Sequence, residues 1–221
     1  MLAKLTLPAP LVRGLVRAGM ALHNYSYQLV GRLSRRLEPD GLHAKHRLMD
    51  YHGFFVSRVG PSDLVLDVGC GNGALTLDLA RRCRAAVGVD MNPKSIAEAE
   101  RRRAAAGLTN ASFVVGDAAD APLERAPDCV VLSNVLEHVS ARVELLRTLS
   151  ARSPRLLIRV PLIDREWIAL YKREWGIEHR LDPTHEIEYT EDAFRAEVAE
   201  AGLRVVSLRI RFGEIWAEAA R

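Results

Sequence analysis

Three aspartates lie at the ends of successive apolar segments in the first half of the chain. Asp67 ends the segment "LVLD" just before the glycine-rich stretch "VGCGNG", Asp90 ends "AAVGVD", and Asp117 follows "ASFVVG". Glycines allow a sharp backbone turn and a close approach of a ligand, and a strand that ends in such a turn before a helix is typical of nucleotide sites. Carboxylates accept hydrogen bonds from hydroxyl and amino groups. The pattern therefore predicts a nucleotide-binding site.

Two kinds of cofactor fit this turn. Gly69-x-Gly71-x-x-Ala74, with Asp90 about 20 residues further on, satisfies the dinucleotide fingerprint and would favour an NAD(P)-dependent oxidoreductase. A dinucleotide, however, places its pyrophosphate at the turn, where the Asp67 carboxylate would repel it. S-adenosylmethionine carries an ammonium and a sulfonium and no phosphate. We therefore expect S-adenosylmethionine as the cofactor, with the oxidoreductase as the alternative.

Each acid then has an expected partner on that cofactor. Asp67 would hold the ammonium, directly or through water. Asp90 would accept hydrogen bonds from both ribose hydroxyls, and Asp117 would accept one from the adenine amino group. Because the three acids end successive strands, we expect them to line one crevice.

The elements that position these acids alternate between strand and helix from about Pro61 onward. Short apolar runs separated by helical patterns predict a parallel sheet covered on both faces. Gly213 lies between the last two strand patterns and predicts a tight antiparallel reversal. Strands are predicted near 63–68, 85–90, 111–117, 128–136, 154–160, 203–212 and 214–220. We assign residues 61–221 to one α/β domain.

Four segments of this domain, "VLDVGCGNG", "VGVDMN", "GDA" and "VVLSNVLEHV", resemble the successive motifs of class I S-adenosylmethionine-dependent methyltransferases. The last segment is similar to the branch that includes ubiquinone-biosynthesis O-methyltransferases and many methyltransferases of small metabolites and glycans. The resemblance implies a doubly wound, Rossmann-like, seven-stranded sheet with an antiparallel last strand. It also implies cofactor contacts through Gly69, Gly71, Asp90, Met91, Asp117, Ala118 and Asn134. To these we add Asp67 and Cys70 of the turn.

Glu137 and His138, just past the fourth predicted strand, are the first candidates for catalysis. The resemblance places this pair beside the methionine end of the cofactor, and the ordinary pKa of histidine suits a base near neutral pH. The alternative is that both residues hold the loop and cap the next helix. His185 is a second candidate base or acceptor-orienting residue. A metal site is not predicted, because the loop spacing of His179, Asp182 and His185 fixes no geometry.

The segment 161–189 interrupts the strand-helix alternation and leaves the ligand-side end of a strand. Asp164 is predicted to cap a helix that Gly176 ends. Within it, Trp167, Tyr171 and Trp175 are spaced to share one face. That face either packs on the sheet or forms an aromatic wall over the acceptor. In the second case Trp167, Tyr171 and His185 would contact the substrate.

Residues 1–60 form a basic N-terminal segment. It carries nine Lys and Arg against three acids, hence +6, so the rest of the chain carries −3 of the total +3. Helical patterns cover residues 11–37 and 43–59. We expect a lid over the acceptor site that also contacts a membrane surface or a partner; a solvated helix face is the alternative.

Composition bounds the remaining expectations. Three cysteines without a CxxC pair indicate reduced thiols in a cytoplasmic protein, and no apolar run reaches the roughly 18 residues of a membrane span. No interleaving of basic and aromatic residues indicates nucleic-acid binding.

The expected function is methyl transfer to oxygen or nitrogen of a small metabolite or glycan unit. A non-catalytic protein that binds S-adenosylmethionine is a further alternative. The oligomeric state is left open.

Overall fold

The computed structural model describes residues 7–39 and 41–221. Residues 1–6, with Lys4, and Asp40 belong to the basic segment predicted from the sequence and lie outside the described residues.

The described residues form α-helices and β-strands in the alternating order expected for the α/β domain. The helices are α1 Ala9–Leu37, α2 Lys45–Met49, α3 Tyr51–Val56, α4 Ala74–Ala80, α5 Pro93–Ala106, α6 Arg142–Arg152, α7 Trp167–Glu174 and α8 Glu191–Glu200. The strands are β1 Leu64–Val68, β2 Ala85–Asp90, β3 Ala111–Val115, β4 Cys129–Ser133, β5 Arg155–Pro161, β6 Arg204–Arg211 and β7 Glu214–Ala220. Short 3-10 helices cover Ala118–Asp120 and Leu136–His138.

The seven strands form one sheet in the order β3-β2-β1-β4-β5-β7-β6. Strands β1 to β5 pair in parallel, and β7 is antiparallel to both β5 and β6. This confirms the predicted fold class, including the reversal at Gly213. The strand order reverses between β1 and β4, and in such sheets ligands bind beyond the carboxyl ends of the strands at this point.

The side chains of β1 alternate between two apolar layers, as the pleat of a strand requires. Leu64 and Leu66 pack in the core that contains residues of α6 and α8, whereas Val65 packs in the core that contains residues of α3 and α4. Asp67 points to the same side as Val65, because the two residues are two positions apart. The strand therefore directs this carboxylate toward α4.

Two predicted helices differ in the structure. The single helix expected over 43–59 is divided into α2 and α3, because Asp50 adopts the left-handed conformation with φ 49°. Asp164 does not cap α7; the N-cap is Glu166. The intervening Arg165 is held by Glu188, by the carbonyl of Leu162 at 2.9 Å and by that of His179 at 2.6 Å, which fixes the chain as a turn before the helix starts.

Helix α1 is one continuous helix of 29 residues that lies against the segment 161–189. The Lys172 amine donates to Asn24 Oδ1 at 2.7 Å and lies 2.9 Å from His23 Nδ1. Asn24 Nδ2 donates to the carbonyl of Glu178 at 2.8 Å. Among the described helices, none combines the length and the apolar character that crossing a membrane requires.

Candidate functional site

The glycine turn after β1 has a left-handed backbone at Gly69, Gly71 and Gly73. A Cβ at Gly73 would lie 2.6 Å from the Phe113 ring and 2.7 Å from Ala99, so this glycine permits close packing of the turn on the sheet and α5. A Cβ at Gly71 would meet no atom of residues 7–39 or 41–221 within 4 Å. The turn therefore has one packed side and one open side, and the open side leaves room for a ligand against the backbone.

Asp90 ties the end of β2 to this turn. Its Oδ2 accepts from the amide of Gly71 at 2.9 Å, and its Oδ1 accepts from the amide of Asn92 at 2.8 Å. The amide of Cys70 donates to the carbonyl of Val89 at 3.1 Å. Each carboxylate oxygen retains a second lone pair for a ligand hydroxyl, so Asp90 can order the turn and accept from a ribose at once.

Asp67 lies beneath the turn and is 1% exposed. Its Oδ2 accepts from the Thr76 hydroxyl at 2.6 Å, which joins β1 to α4. Burial raises the pKa of Asp67 to about 7, and the hydrogen bond from Thr76 opposes that shift. From the sequence, this carboxylate is predicted to lie within the site, whereas its contact in the structure is with α4. Its role toward an ammonium stays a prediction.

The loop after β3 begins with Asp117, whose Oδ1 accepts from the amide of Ala119 at 2.8 Å. The guanidinium of Arg152, at the end of α6, donates to the carbonyl of Ala118 at 2.6 Å and to that of Ala121 at 2.8 Å. Sequence reasoning missed Arg152, since its contacts lie more than 30 residues away. Met91, after β2, is 74% exposed, which leaves an apolar side chain open beside Asp90.

Asn134 and Glu137 follow β4, and each has one buried side-chain oxygen that forms no hydrogen bond with the described residues. Asn134 has a left-handed backbone with φ 58°, and its Nδ2 donates to Glu137 Oε1. Within the described part of the chain, Asn134 Oδ1 and Glu137 Oε2 are buried without a hydrogen-bond partner. Burial raises the pKa of Glu137, against the hydrogen bond from Asn134. Buried polar atoms are normally satisfied, so these two oxygens are expected to meet a ligand.

His138 and His185 come together from distant segments. Their ring centroids are 4.7 Å apart, and the amide of Glu186 donates to the carbonyl of Glu137 at 2.7 Å, which anchors the insertion here. His138 is exposed and His185 is buried. Burial and then the neighbouring His185 lower the pKa of His138.

Thr184 and Asp182 fix the proton on His138. The Thr184 hydroxyl donates to Asp182 Oδ1 at 2.7 Å and lies 3.0 Å from His138 Nδ1. A hydroxyl has one proton to donate, so Thr184 Oγ1 accepts from Nδ1–H of neutral His138. The lone pair of neutral His138 is therefore on Nε2.

Glu188 plays the same part for His185. Its Oε1 lies 3.3 Å from His185 Nδ1, and its side chain is also held by Arg165. Burial would raise the pKa of Glu188, but the hydrogen bonds from His185 and from the amide of Leu181, together with Arg165, lower it. An ionised Glu188 accepts from His185 Nδ1–H, and it orients a ring that is otherwise enclosed.

A metal ion also fits this part of the site by residue type. Glu137, His138 and His185 each offer a ligand atom, and these atoms lie within 4.8 Å of one another. His179 and Asp182 lie near His185 in the sequence but are not part of this group among the described residues.

The three aromatic residues that the sequence predicts on one face of the insertion do not form a layer on the sheet. Trp167 is 73% exposed, and the buried residues of α7 are Ala169 and Lys172. Tyr171 lies between the two tryptophans, with ring centroids 6.0 Å from Trp167 and 5.5 Å from Trp175. Trp175 contacts the guanidinium of Arg17 on α1. Packing on the sheet was one of the two sequence alternatives, and the exposure of Trp167 argues against it.

A cavity of about 290 Å³ lies between the strand ends and the N-terminal segment. Ser133 and Asn134 of the β4 end and Asn72 of the glycine turn line one side. The other side is lined by the N-terminal segment and includes Arg35 and Lys45. Burial, followed by the charge of Arg159, lowers the pKa of Lys45. The cavity therefore joins the glycine turn to a positively charged wall.

Arg159 forms the floor of this cavity and is 2% exposed. Its guanidinium donates to both Glu214 oxygens, at 2.5 and 2.7 Å, and lies 3.7 Å from the centre of the Tyr51 ring. Trp216 Nε1 also donates to Glu214, at 3.2 Å. Sequence reasoning missed this pair, although an arginine within the apolar run "LLIRV" was a visible signal.

Comparison with known proteins identifies a family that part of this chain matches. Residues 65–152 match the model of a family described as a methyltransferase domain. The probable cobalt-precorrin-6B C(15)-methyltransferase of Methanothermobacter thermautotrophicus is 41% identical over 70 residues, which are 31% of this chain and 36% of that protein. The 23S rRNA (uracil(1939)-C(5))-methyltransferase of Photobacterium angustum is 47% identical over 55 residues, 25% of each chain.

The curated relatives are matched over part of their length, between 8% and 36%. Among solved structures, the magnesium protoporphyrin IX methyltransferase of Synechocystis PCC 6803, with bound S-adenosylhomocysteine, superposes with a TM-score of 0.60 at 22% identity. The superposition covers 80% of this chain and 83% of that one. At this identity the likeness establishes the shared fold.

Proposed function

We propose that this chain, a class I S-adenosylmethionine-dependent methyltransferase by the match of residues 65–152 to the methyltransferase domain, moves a methyl group to oxygen or nitrogen of a small metabolite or glycan unit. The observation that carries this proposal is the row of polar groups at the strand ends. Asp90 ends β2, Asp117 follows β3, and Asn134, with its unpartnered Oδ1, follows β4.

The residues present fit S-adenosylmethionine. Asp90 and Asp117 retain lone pairs for hydroxyl and amino donors, and the open side of Gly71 allows a ligand to lie against the backbone. Cys70, Met91 and Ala118 belong to the same loops. When bound, this cofactor supplies a methyl group already activated by its sulfonium.

The cavity then holds the methionine end of the cofactor and the acceptor. Lys45 and Arg35 line the wall opposite Asn134, and their charge suits a carboxylate, which the methionine end carries. A volume of about 290 Å³ suits a small acceptor group rather than a folded polymer.

His138 is the proposed general base. Its Nε2 bears the lone pair, and its lowered pKa keeps the ring neutral near pH 7. It can therefore accept a proton from an acceptor hydroxyl or ammonium. Thr184 orients His138 and Glu188 orients His185. His185 encloses the reacting group on the insertion side, and the Glu137 carboxylate lies beside the two histidines.

Helix α1 and the insertion are the proposed cover of the acceptor site. Asn24 and Lys172 join them, and Trp167 and Tyr171 lie on the insertion at that side. A cover of this kind excludes water and aligns the acceptor, which is the main requirement of a direct displacement.

Transfer of a labelled methyl group tests the proposal. The purified protein is incubated with methyl-labelled S-adenosylmethionine and, separately, with a small-molecule extract, a glycan fraction and total RNA. Label should enter the small-molecule or glycan fraction. It should be lost in His138→Ala but not in His179→Ala, which changes a histidine of the insertion. Label in RNA alone would mean that the acceptor is RNA and not a small molecule or glycan. Label in no fraction would favour a protein that binds S-adenosylmethionine without turnover.

A further inference from the structure

The outer face of α1 carries a row of exposed leucines. Leu11, Leu15, Leu22, Leu29 and Leu33, here called the outer leucine row, are between 40% and 65% exposed. Their spacings of four and seven residues place them along one side of the helix. The opposite side includes Met20, which is 4% exposed, and Asn24, which bonds to the insertion. The row therefore faces away from the body of the protein.

The charge on α1 has one sign. The helix contains five arginines and no aspartate or glutamate. Arg32 and Arg36 each lie three residues after a member of the outer leucine row, Leu29 and Leu33, and are therefore its neighbours on the helix surface. Both arginines are exposed.

We propose that the outer leucine row and its flanking arginines dock on an anionic lipid bilayer, with α1 lying in the plane of the interface. Helices that bind this way carry a continuous apolar side with arginine or lysine beside it, and they gain from both apolar burial and attraction to anionic headgroups. The helix spans about 43 Å at 1.5 Å per residue, which is long enough for a stable interfacial contact.

Charge distinguishes the bilayer from a second copy of the chain. A symmetric pairing of two α1 helices through the outer leucine row would bring arginines together with no acid on either helix to offset them. An anionic surface offsets Arg32 and Arg36, the arginines that flank the row. The contact with Lys172 and Asn24 uses the inner side of α1, so docking leaves the proposed cover of the acceptor site in place.

Vesicle flotation of the full-length protein tests this inference. Vesicles are made either of phosphatidylcholine alone or of equal parts of phosphatidylcholine and phosphatidylglycerol. The protein should float with the anionic vesicles and remain unbound with the neutral ones. Binding should weaken at high salt, because exposed charges are screened.

Two pairs of substitutions separate the apolar and the charged contributions. The pair Leu22→Glu and Leu29→Glu should lower vesicle affinity by more than about tenfold, since each removes an apolar contact. The pair Arg32→Gln and Arg36→Gln should lower it about fivefold per arginine. Val206→Glu, at a residue of β6 that is 47% exposed, is the matched control and should bind as the unchanged protein does. Circular dichroism verifies that each variant is folded.

Two results would overturn the proposal. One is a folded protein that does not float with anionic vesicles at low salt. The other is a dimer, seen in analytical ultracentrifugation, that dissociates when Leu22→Glu and Leu29→Glu are introduced, in a protein that does not bind vesicles. This result would assign the outer leucine row to contact with a second copy of the chain. Neither readout depends on methyl transfer, so failure here leaves the proposed function untouched.

Discussion

The two halves of the site are held in different ways. On the cofactor side, Asp90 accepts from the amides of Gly71 and Asn92, and Asp117 accepts from an amide two residues on. On the acceptor side, partners come from distant parts of the chain: Thr184 to His138 across 46 residues and Asn24 to the carbonyl of Glu178 across 154. The first half is fixed by strand ends, and the second by the docking of α1 and the insertion.

This difference sets what substitutions should do. Changes on the cofactor side should alter cofactor affinity or the stability of the sheet. Changes on the acceptor side should alter turnover or acceptor affinity and leave cofactor binding in place. A variant on the acceptor side that lowers only cofactor affinity, or one on the cofactor side that lowers only turnover, would contradict this division.

The largest expected effect is that of His138→Ala. Removing a general base costs about 10² to 10⁴ in kcat, and His138 bonds to the insertion rather than to the glycine turn. Initial rates and calorimetry should show the loss in kcat with an unchanged Kd for S-adenosylmethionine. An equal loss of cofactor affinity would place His138 in the cofactor half.

Asp67→Asn should stabilise the cofactor-free protein at neutral pH and above. The folded protein keeps a proton on Asp67 up to about pH 7, whereas the unfolded chain releases it near pH 4. Stability contributed by this group is thus present below about pH 4 and is lost as the pH rises through about 7. Urea unfolding should show a gain of up to about 4 kcal/mol for the variant at about pH 8.

At about pH 3 the same variant should match the unchanged protein, since Asp67 is then protonated in both the folded and the unfolded chain. A gain that does not vary with pH would mean that packing, rather than the buried charge, determines the effect.

Lys172→Met should weaken the contact between α1 and the insertion. The loss of the hydrogen bond to Asn24 Oδ1 should raise KM for the acceptor about tenfold, with little change in kcat or in cofactor Kd. Lys94→Met, on the exposed start of α5, is the matched control. A fall in cofactor affinity alone would count against α1 as a cover of the acceptor site.

The smallest expected effect is a displaced acid limb in the pH profile of kcat/KM. The base must be neutral, and burial with the nearby His185 lowers the pKa of His138. Activity should therefore rise with pH through a midpoint below the usual histidine value of about 6.5 and be level above it. His185→Gln should move the midpoint upward; a midpoint above that of free histidine would exclude His138 as the base.

The cofactor half could be predicted from sequence because its geometry is local. Each of Asp90 and Asp117 lies at a strand end, and the strand patterns and the antiparallel reversal at Gly213 are confirmed. Asp67 shows the limit: its position was predicted, but the alternation of the strand directs its carboxylate to Thr76.

The acceptor half could be predicted only in its residue types. The contact of His138 with His185 depends on how the insertion returns to the end of β4, and no local pattern encodes that path. The same holds for the buried Arg159 and Glu214, which are 55 residues apart. Asp50 divides a predicted helix through a single left-handed residue, which helical periodicity does not reveal.

The measurement that tests the central claim most directly is calorimetric titration of the protein with S-adenosylmethionine, S-adenosylhomocysteine, NADH and NADPH, repeated with Asp90→Ala. Asp120→Ala, an exposed acid of the loop after β3, is the control. The two sulfur ligands should bind, and Asp90→Ala should lose about a hundredfold or more in affinity, since two hydrogen bonds to a charged group are removed. Binding of a nicotinamide nucleotide instead, or an unchanged affinity in Asp90→Ala, would contradict the assignment of the cofactor half.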